Sequence, residues 1–323
     1  MLRRLPLSKY GRIARCLLSN LLTDKPFYPF YASFKLTSRC HFACAFCNIK
    51  DEHRPDLPTE RVKRILDNLS DSSVALVSFE GGEPLLRSDI GELLEYARSK
   101  DFYLLFTTSE RKLEHYPMKA YARYIDFLHI SIDEGHNNLQ MFDRLEEFAR
   151  FGTRLSIQVV VTRDTLQWLE EKVRRCAQAG ANMVVMPAVH MNRTEDRFPD
   201  LDRFQAELGW LKQAYPGIIY TPDGYFERVK KRRCSPESII IDSTGELFYP
   251  CHILEKKGPD LSEQSLMDYL VSPEAHASRR EMARCEKGCG WFQYFSIGEF
   301  TSIKTALRSL MPFRQQRLRY TPK

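Results

Sequence analysis

From Phe30 onward the chain alternates short apolar runs with segments of helical period, a rhythm that points to a parallel α/β arrangement. The runs Tyr31–Leu36, Val74–Phe79, Phe102–Thr107, Phe127–Ile132, Leu155–Val161 and Met183–Met186 have the length and composition of buried strands. Between them, Thr59–Leu69, Ile90–Ser99, Met118–Tyr124, Leu139–Phe151 and Leu166–Ala179 read as helices, and Asp202–Ala214 follows the sixth strand. Repeated βα units give a parallel sheet with right-handed crossovers. Six such units make an incomplete barrel. The expected fold is therefore α/β, a partial (βα)6 TIM-like barrel with a small C-terminal cysteine-rich extension.

The rhythm breaks near Lys230–Arg233. A hairpin is expected beyond it, Ser238–Asp242 and Glu246–Tyr249 around Ser243-Thr244-Gly245, followed by a helix near Ser265–Leu270. The expected organisation is a basic amphipathic segment at 1–29, a core barrel at 30–224, the extension at 225–291 and a basic tail at 292–323. A chain of 323 residues, 43% hydrophobic, can bury one large core and such an appendage. Its longest apolar stretches, such as Leu104–Phe106 and Val159–Val161, fall far short of the roughly 20 residues of a membrane-spanning helix. Basic residues interrupt the apolar ones near the amino terminus, unlike a secretory signal, so a cytoplasmic protein is expected.

Of the nine cysteines, seven fall into two sets, Cys40/Cys44/Cys47 and Cys234/Cys251/Cys285/Cys289. In a reducing compartment such sets bind metal more often than they form disulfides. Cys16 and Cys176 lie in helical patterns among apolar neighbours and read as buried thiols. In Cys40-His-Phe-Ala-Cys44-Ala-Phe-Cys47, directly after the first strand, three thiolates can hold three irons of a [4Fe–4S] cluster and leave the fourth open. A zinc knuckle completed by His41 or a distant ligand is the bland alternative. Polar segments end the next strands: Glu80-Gly81-Gly82-Glu83-Pro84, Thr107-Thr108-Ser109 and Ser131-Ile132-Asp133. Strand carboxyl ends face the active site of a barrel.

On these motifs the chain resembles the radical S-adenosylmethionine (radical SAM) superfamily, whose hallmark is CxxxCxxC after the first strand with an aromatic before the third cysteine. Phe46 occupies that place. The resemblance implies that Cys40, Cys44 and Cys47 hold a catalytic [4Fe–4S] cluster whose open iron binds SAM. Reductive cleavage of SAM to methionine and a 5′-deoxyadenosyl radical would follow. Phe46 and the GGEP-like Gly81, Gly82, Glu83 and Pro84 are the implied SAM contacts, the latter segment at its amino group. Thr108, Ser131 and Asp133 are added to them, although Thr107-Thr108-Ser109 departs from the Thr-Asn-Gly type of segment found in relatives. Met186 could pack on adenine or be an ordinary core methionine. The order Cys234, Gly245, Cys251, Cys285, Cys289 is similar to SPASM/Twitch extensions, the shortened Twitch type being closer, and implies one auxiliary [4Fe–4S] cluster. Zinc on the same four thiols is the alternative. His252 reads as a surface or supporting residue more readily than as a ligand, and His129 and His190 as core residues. No catalytic acid or base is assigned.

The function expected is modification of an unreactive carbon of a substrate, with a lipid or isoprenoid placed first. A peptide-modifying maturase is the alternative; with about 29 residues ahead of the barrel no obvious leader-binding domain is expected there, which tilts the expectation modestly away from leader-dependent maturases. From a different class, a non-catalytic metal-binding interaction protein on a decayed barrel is disfavoured, because the motifs survive together. A flavodoxin or ferredoxin-type reductant is expected. Residues 1–22 and 301–323 carry +5 and +6 of a net charge of +6, leaving −5 between them, so no nucleic-acid partner is expected. The basic ends instead suggest peripheral contact with the cytoplasmic face of a membrane. Tyr10, Ile13, Leu17, Leu18 and Leu21 recur at helical spacing among Lys9, Arg12 and Arg15. Ile303, Ala306, Leu307 and Leu310 repeat that pattern beside Lys304 and Arg308. The alternative is that these apolar faces pack on the barrel.

Overall fold

The pleat of strand β1 (Tyr31–Lys35) sorts its side chains into two environments. Ala32 and Phe34 join the hydrophobic core, while Tyr31, Ser33 and Lys35 face the opposite side of the sheet. A computed structural model describes residues 3–22, 28–47, 49, 52, 54–189 and 198–300. The same sorting recurs in β2 (Leu76–Glu80), β3 (Tyr103–Thr108), β4 (Phe127–Ser131), β5 (Arg154–Val161) and β6 (Asn182–Pro187). Each pairs in parallel with its predecessor.

Helix α1 (Leu7–Leu22) precedes the sheet. The crossovers carry α2 (Thr59–Ser70), α3 (Ile90–Arg98), α4 (Met118–Tyr121), α5 (Leu145–Ala149) and α6 (Leu169–Ala179), and α7 (Leu201–Ala214) follows β6. In α2 the buried Val62, Ile65, Leu66 and Leu69 make one face at three- and four-residue spacing. Gly180, left-handed at φ 65°, ends α6. Two expected helices are interrupted. Leu139–Arg144 and Leu166–Trp168 form 3-10 turns before α5 and α6, and α4 is a single turn because β4 begins shortly after it.

The sheet continues past β1. After α8 (Gly224–Lys230), strand β7 (Ser238–Ile241) pairs in parallel with β1, Tyr31 opposite Ser238 and Phe34 opposite Ile241. Strands β8 (Glu246–Phe248) and β9 (Lys257–Asp260) add antiparallel neighbours, giving the order β6-β5-β4-β3-β2-β1-β7-β8-β9. The Asp242 carboxylate shapes the β7–β8 turn by accepting from the Thr244 and Glu246 amides at 2.9 and 3.0 Å, and Gly245 supplies its left-handed residue. Helices α9 (Leu266–Leu270), α10 (Pro273–Ala283) and α11 (Phe292–Phe300) complete the described chain. Helix α11 packs on α8 and β7, so folded structure continues beyond residue 291. His190, Ile303, Lys304, Ala306, Leu307, Arg308 and Leu310 lie outside the described residues.

Helix α1 and the residues just ahead of it lie across the amino ends of the first four strands. Lys9 Nζ donates to the Ser70 and Ser72 carbonyls, both at 2.8 Å, ahead of β2. Asn20 bonds both backbone groups of Tyr28, ahead of β1. Tyr10 meets Tyr103 at the start of β3, and Arg3 reaches Asp126 ahead of β4. The buried residues of α1 are Lys9, Ile13, Cys16 and Asn20. Of the expected apolar face, Ile13 is thus internal, Leu17 is half-buried, and Tyr10, Leu18 and Leu21 are exposed. No described helix is long and apolar enough to cross a membrane.

Candidate functional site

At the carboxyl end of β1 the backbone runs into the loop bearing Cys40, Cys44 and Cys47, and the Gly81-Gly82 pair is pressed against that loop. Gly82 N donates to the Thr37 carbonyl and Glu83 N to the Arg39 carbonyl, both at 2.8 Å. Gly81 has φ +141°, and a Cβ there would lie 2.6 Å from the Thr37 oxygen. A Cβ on Gly82 would collide with the Arg39 carbonyl and come within 3.0 Å of Cys40 Cβ. The glycines are required by the cysteine loop itself. Arg87, buried, fastens the base of that loop by donating to the Leu36 and Leu57 carbonyls, each at 2.9 Å, and pairing with Asp89.

Glu83 is fully buried and turned toward the end of β3. Thr108 Oγ1, Ser109 N and Leu85 N donate to its carboxylate at 2.8, 2.9 and 3.2 Å. Burial pushes its pKa up to about 7 against those hydrogen bonds, which favour the ionised form. Pro84 opens the 3-10 turn that Glu83 caps. The Thr108 hydroxyl therefore holds Glu83 directly.

Ser131 and Asp133 end β4 beside this group. Ser131 Oγ lies 3.5 Å from Gln158 Oε1. The Asp133 carboxylate accepts from His136 N at 3.0 Å and Val160 N at 3.1 Å, and its Oδ1 lies 2.8 Å from His136 Nδ1. Asn138 braces the turn by accepting from Asp133 N and donating to the Ser131 and Ser109 carbonyls. Burial would lower the His136 pKa, but the Asp133 carboxylate and the Cys44 sulfur raise it to about 10. Its ring stands edge-on to Phe42 and Phe46 at 5.7 and 5.6 Å. Phe46 in turn packs so closely on Gly135 that a Cβ there would clash. Sequence reasoning did not find His136 or Asn138, since a lone histidine and a turn asparagine carry no spacing signature. His41 pairs with Glu110 at 3.3 Å.

The face of the barrel sheet opposite the helices is polar. Lys35 and Glu80 are register partners on it, and Thr107, His129 and Ser156 continue the row across β3, β4 and β5. Burial raises the Glu80 pKa against Ser33, Lys35, Ser78 and Tyr31, which favour its charge, and its Oε1 has no hydrogen-bond partner. His129, expected in the core, stands on this inner face with Nδ1 2.5 Å from Gln158 Nε2, and burial lowers its pKa to about 4. Met186 also faces inward at the end of β6.

The second cysteine set comes together from three segments, Cys234 after α8, Cys251 after β8, and Cys285 and Cys289 between α10 and α11. Burial, and then the neighbouring thiols, raise Cys234 to about 12, and burial raises Cys251 to about 11. Cys289 is raised by burial and by Cys285. In the first set, burial lifts Cys40 to about 11 and raises Cys47, with Cys44 adding to both. Buried thiols crowded together form thiolates only beside positive charge, which a bound metal would supply, so each set has the donor chemistry of a metal site. Among the described residues no three His, Cys, Asp or Glu side chains converge on a single-ion position. Each thiolate of a four-iron cluster binds its own iron, so what bears on such a group is that the thiols of each set lie near enough to influence one another. His252 is wedged between Phe248 and Trp291, at 4.7 and 5.5 Å, and burial lowers its pKa to about 4. Beside Cys285 a cleft of about 460 Å³ is lined by Arg280, Arg284 and Lys287 with Glu281 and Glu286, away from the first cysteine loop.

The site is thus a parallel half-barrel with three thiols at its carboxyl mouth, backed by a glycine-paired carboxylate. The Radical SAM superfamily model matches residues 34–204, and the chain belongs to this superfamily. Its members use a [4Fe–4S] cluster and SAM, which together supply the reductive cleavage that starts radical chemistry. The chain is 31% identical over 218 residues to mycofactocin maturase MftC of Mycolicibacterium smegmatis, covering 61% of this chain and 55% of that protein. It is 33% identical over 102 residues to an S-adenosylmethionine-dependent nucleotide dehydratase of Selenomonas ruminantium, covering 30% of this chain and 37% of the relative. The chain thus spans about half the length of MftC. The structure of Streptococcus suis SuiB bound to precursor peptide SuiA superposes with a TM-score of 0.67 at 17% identity, over 87% of this chain and 74% of that one, a likeness of fold.

Proposed function

We propose that this radical SAM enzyme modifies an unreactive carbon of a peptide. The observation that carries the reading is the 218-residue match to a maturase, which spans more of this chain than the match to the nucleotide dehydratase. It favours a peptide over the lipid or isoprenoid substrate expected first. Within the site, Cys40, Cys44 and Cys47 ligate the catalytic cluster, and Phe46, Gly81, Gly82, Glu83, Pro84, Thr108, Ser131 and Asp133 form the cradle for SAM. The hydrogen bonds from Thr108 and Ser109 fix the Glu83 carboxylate beside the cysteine loop, and Asp133 sets the turn that carries His136 against Cys44. Cys234, Cys251, Cys285 and Cys289 hold an auxiliary [4Fe–4S] cluster of Twitch type. A flavodoxin or ferredoxin-type protein supplies electrons in a cytoplasmic setting. The inner row from Lys35 to Ser156 offers charged and neutral partners for the amide groups of a peptide.

The test is anaerobic reconstitution followed by incubation with SAM and dithionite. Short peptides encoded next to the gene are compared with phospholipid and isoprenoid extracts. A peptide that gains or loses mass, with 5′-deoxyadenosine formed in proportion, supports the proposal. Proportionate turnover of a lipid, with every such peptide unchanged, overturns it.

A further inference from the structure

Helix α1 is amphipathic the wrong way round for a helix packed on a barrel. Its inner face is polar at both ends, with Lys9 and Asn20 bonded to backbone groups. Its outer face carries Leu7, Leu18, Leu21 and Leu22, exposed by 88%, 55%, 50% and 77%, with Tyr10 and Ala14 completing the stripe. A terminal helix stabilised only by burial would turn those leucines inward. Here hydrogen bonds hold the helix, and the leucines are left to solvent. Arg4 and Arg15 are exposed beside the stripe, Arg12 is half-buried on its flank, and residues 3–22 contain no acid.

We infer that the outer face of α1 docks the enzyme on an anionic phospholipid surface. Leucines enter the boundary between headgroups and acyl chains, and the arginines stay among the phosphates. The charge selects this occupant. An apolar stripe bordered by basic groups with no acid matches an anionic bilayer, whereas a second copy of the helix would bring like charges together.

The position of α1 also fixes the orientation. The helix crosses the amino ends of β1 to β3, with Arg3 just ahead of it reaching the start of β4, whereas the Cys40 loop lies at their carboxyl ends. A five-residue strand spans roughly 17 Å. Docking therefore holds the catalytic mouth away from the bilayer, open to the aqueous phase. Contact of this kind localises the enzyme without presenting lipid to its active site. It is independent of the peptide reading, because flotation and turnover are separate measurements.

The experiment is flotation of the full chain with phosphatidylcholine vesicles, with and without phosphatidylglycerol. It is run at about 0.05 M and about 0.5 M salt, between which the screening length falls severalfold. The expected result is flotation with the anionic vesicles at low salt that weakens at high salt. Two pairs of variants test the stripe, Leu18→Glu with Leu21→Glu and Leu7→Glu with Leu22→Glu. Each should lower the bound fraction roughly tenfold while leaving the melting temperature in place, since these side chains are exposed. Arg12→Gln with Arg15→Gln should weaken the low-salt binding and flatten its dependence on salt, since less charge is left to screen. Three outcomes would each overturn the inference: no flotation at low salt, flotation undiminished in both leucine pairs, or self-association in sedimentation that those pairs abolish.

Discussion

Gly82 stands where two chain segments leave no space for a side chain. Its missing Cβ is the room occupied by the Arg39 carbonyl and Cys40 Cβ. Gly82→Ala should therefore displace the cysteine loop and lower both iron content and 5′-deoxyadenosine formation, the latter by roughly tenfold or more, with the fold kept by circular dichroism. The CxxxCxxC spacing and the glycine pair were legible in the sequence because both are local. The reason for the glycines was not, since it lies in a contact between two strand ends. Glu80 gives a second test. Burial raises its pKa, so its ionisation costs more in the folded chain than in the unfolded one. That contribution to stability is present at acid pH and is lost as pH rises through the raised folded value. Glu80→Gln should be more stable than the parent at pH 8, and the difference should shrink toward pH 5. Melting curves of the two proteins across that range decide it. An unchanged difference would mean that Lys35 and its neighbours already offset the charge.

At the scale of elements, α1 shows how a polar residue can act as an anchor. Lys9 Nζ donates to two carbonyls at the end of α2, and burial pulls its pKa down to about 8. Lys9→Met leaves the Ser70 and Ser72 carbonyls without that donor and should cost about 1–3 kcal/mol, read as a lower melting temperature. The sign of the pH effect follows from the depressed value. Between about 8 and the ordinary 10.5 the unfolded chain holds the proton more tightly, so the Lys9 contribution rises with pH across that window. The gap between parent and Lys9→Met should widen accordingly. The six barrel strands were legible because the pleat writes core and inner-face residues alternately into each run. The inward face of α1 was not, because leucines and lysines at helical spacing look the same whichever side meets the barrel. Strand β9, Lys-Gly-Pro-Asp, carries no strand signal, and α11 has apolar residues on all sides. Tertiary pairing makes the one, and burial between α8 and β7 makes the other.

In the whole molecule, β7 pairs with β1 and makes the cysteine-rich segment a continuation of the barrel sheet. Sequence could place the β7–β8 hairpin but not its neighbour, because parallel pairing across some two hundred residues leaves no local trace. The two thiol sets consequently share one framework. Lys35 influences both Cys47 in the first set and His252 beside Cys251 in the second. They should nevertheless load iron separately, since each is built from its own loops. The reconstituted parent is expected to bind about eight irons and Cys40→Ala/Cys44→Ala/Cys47→Ala about four, the latter without 5′-deoxyadenosine formation. Replacing Cys234, Cys251, Cys285 and Cys289 with serine should also leave about four irons, now with SAM cleavage retained and substrate turnover lost. Removing ligands from a shared sheet could instead loosen β7 and, through it, β1. Iron content and melting temperature measured on the same samples distinguish the two effects. Loss of all iron from the four-serine variant together with a collapsed melting transition would show that the second set holds the first in place. Four irons and one zinc in a fully active parent would assign the second set to zinc and remove the auxiliary cluster from the proposal.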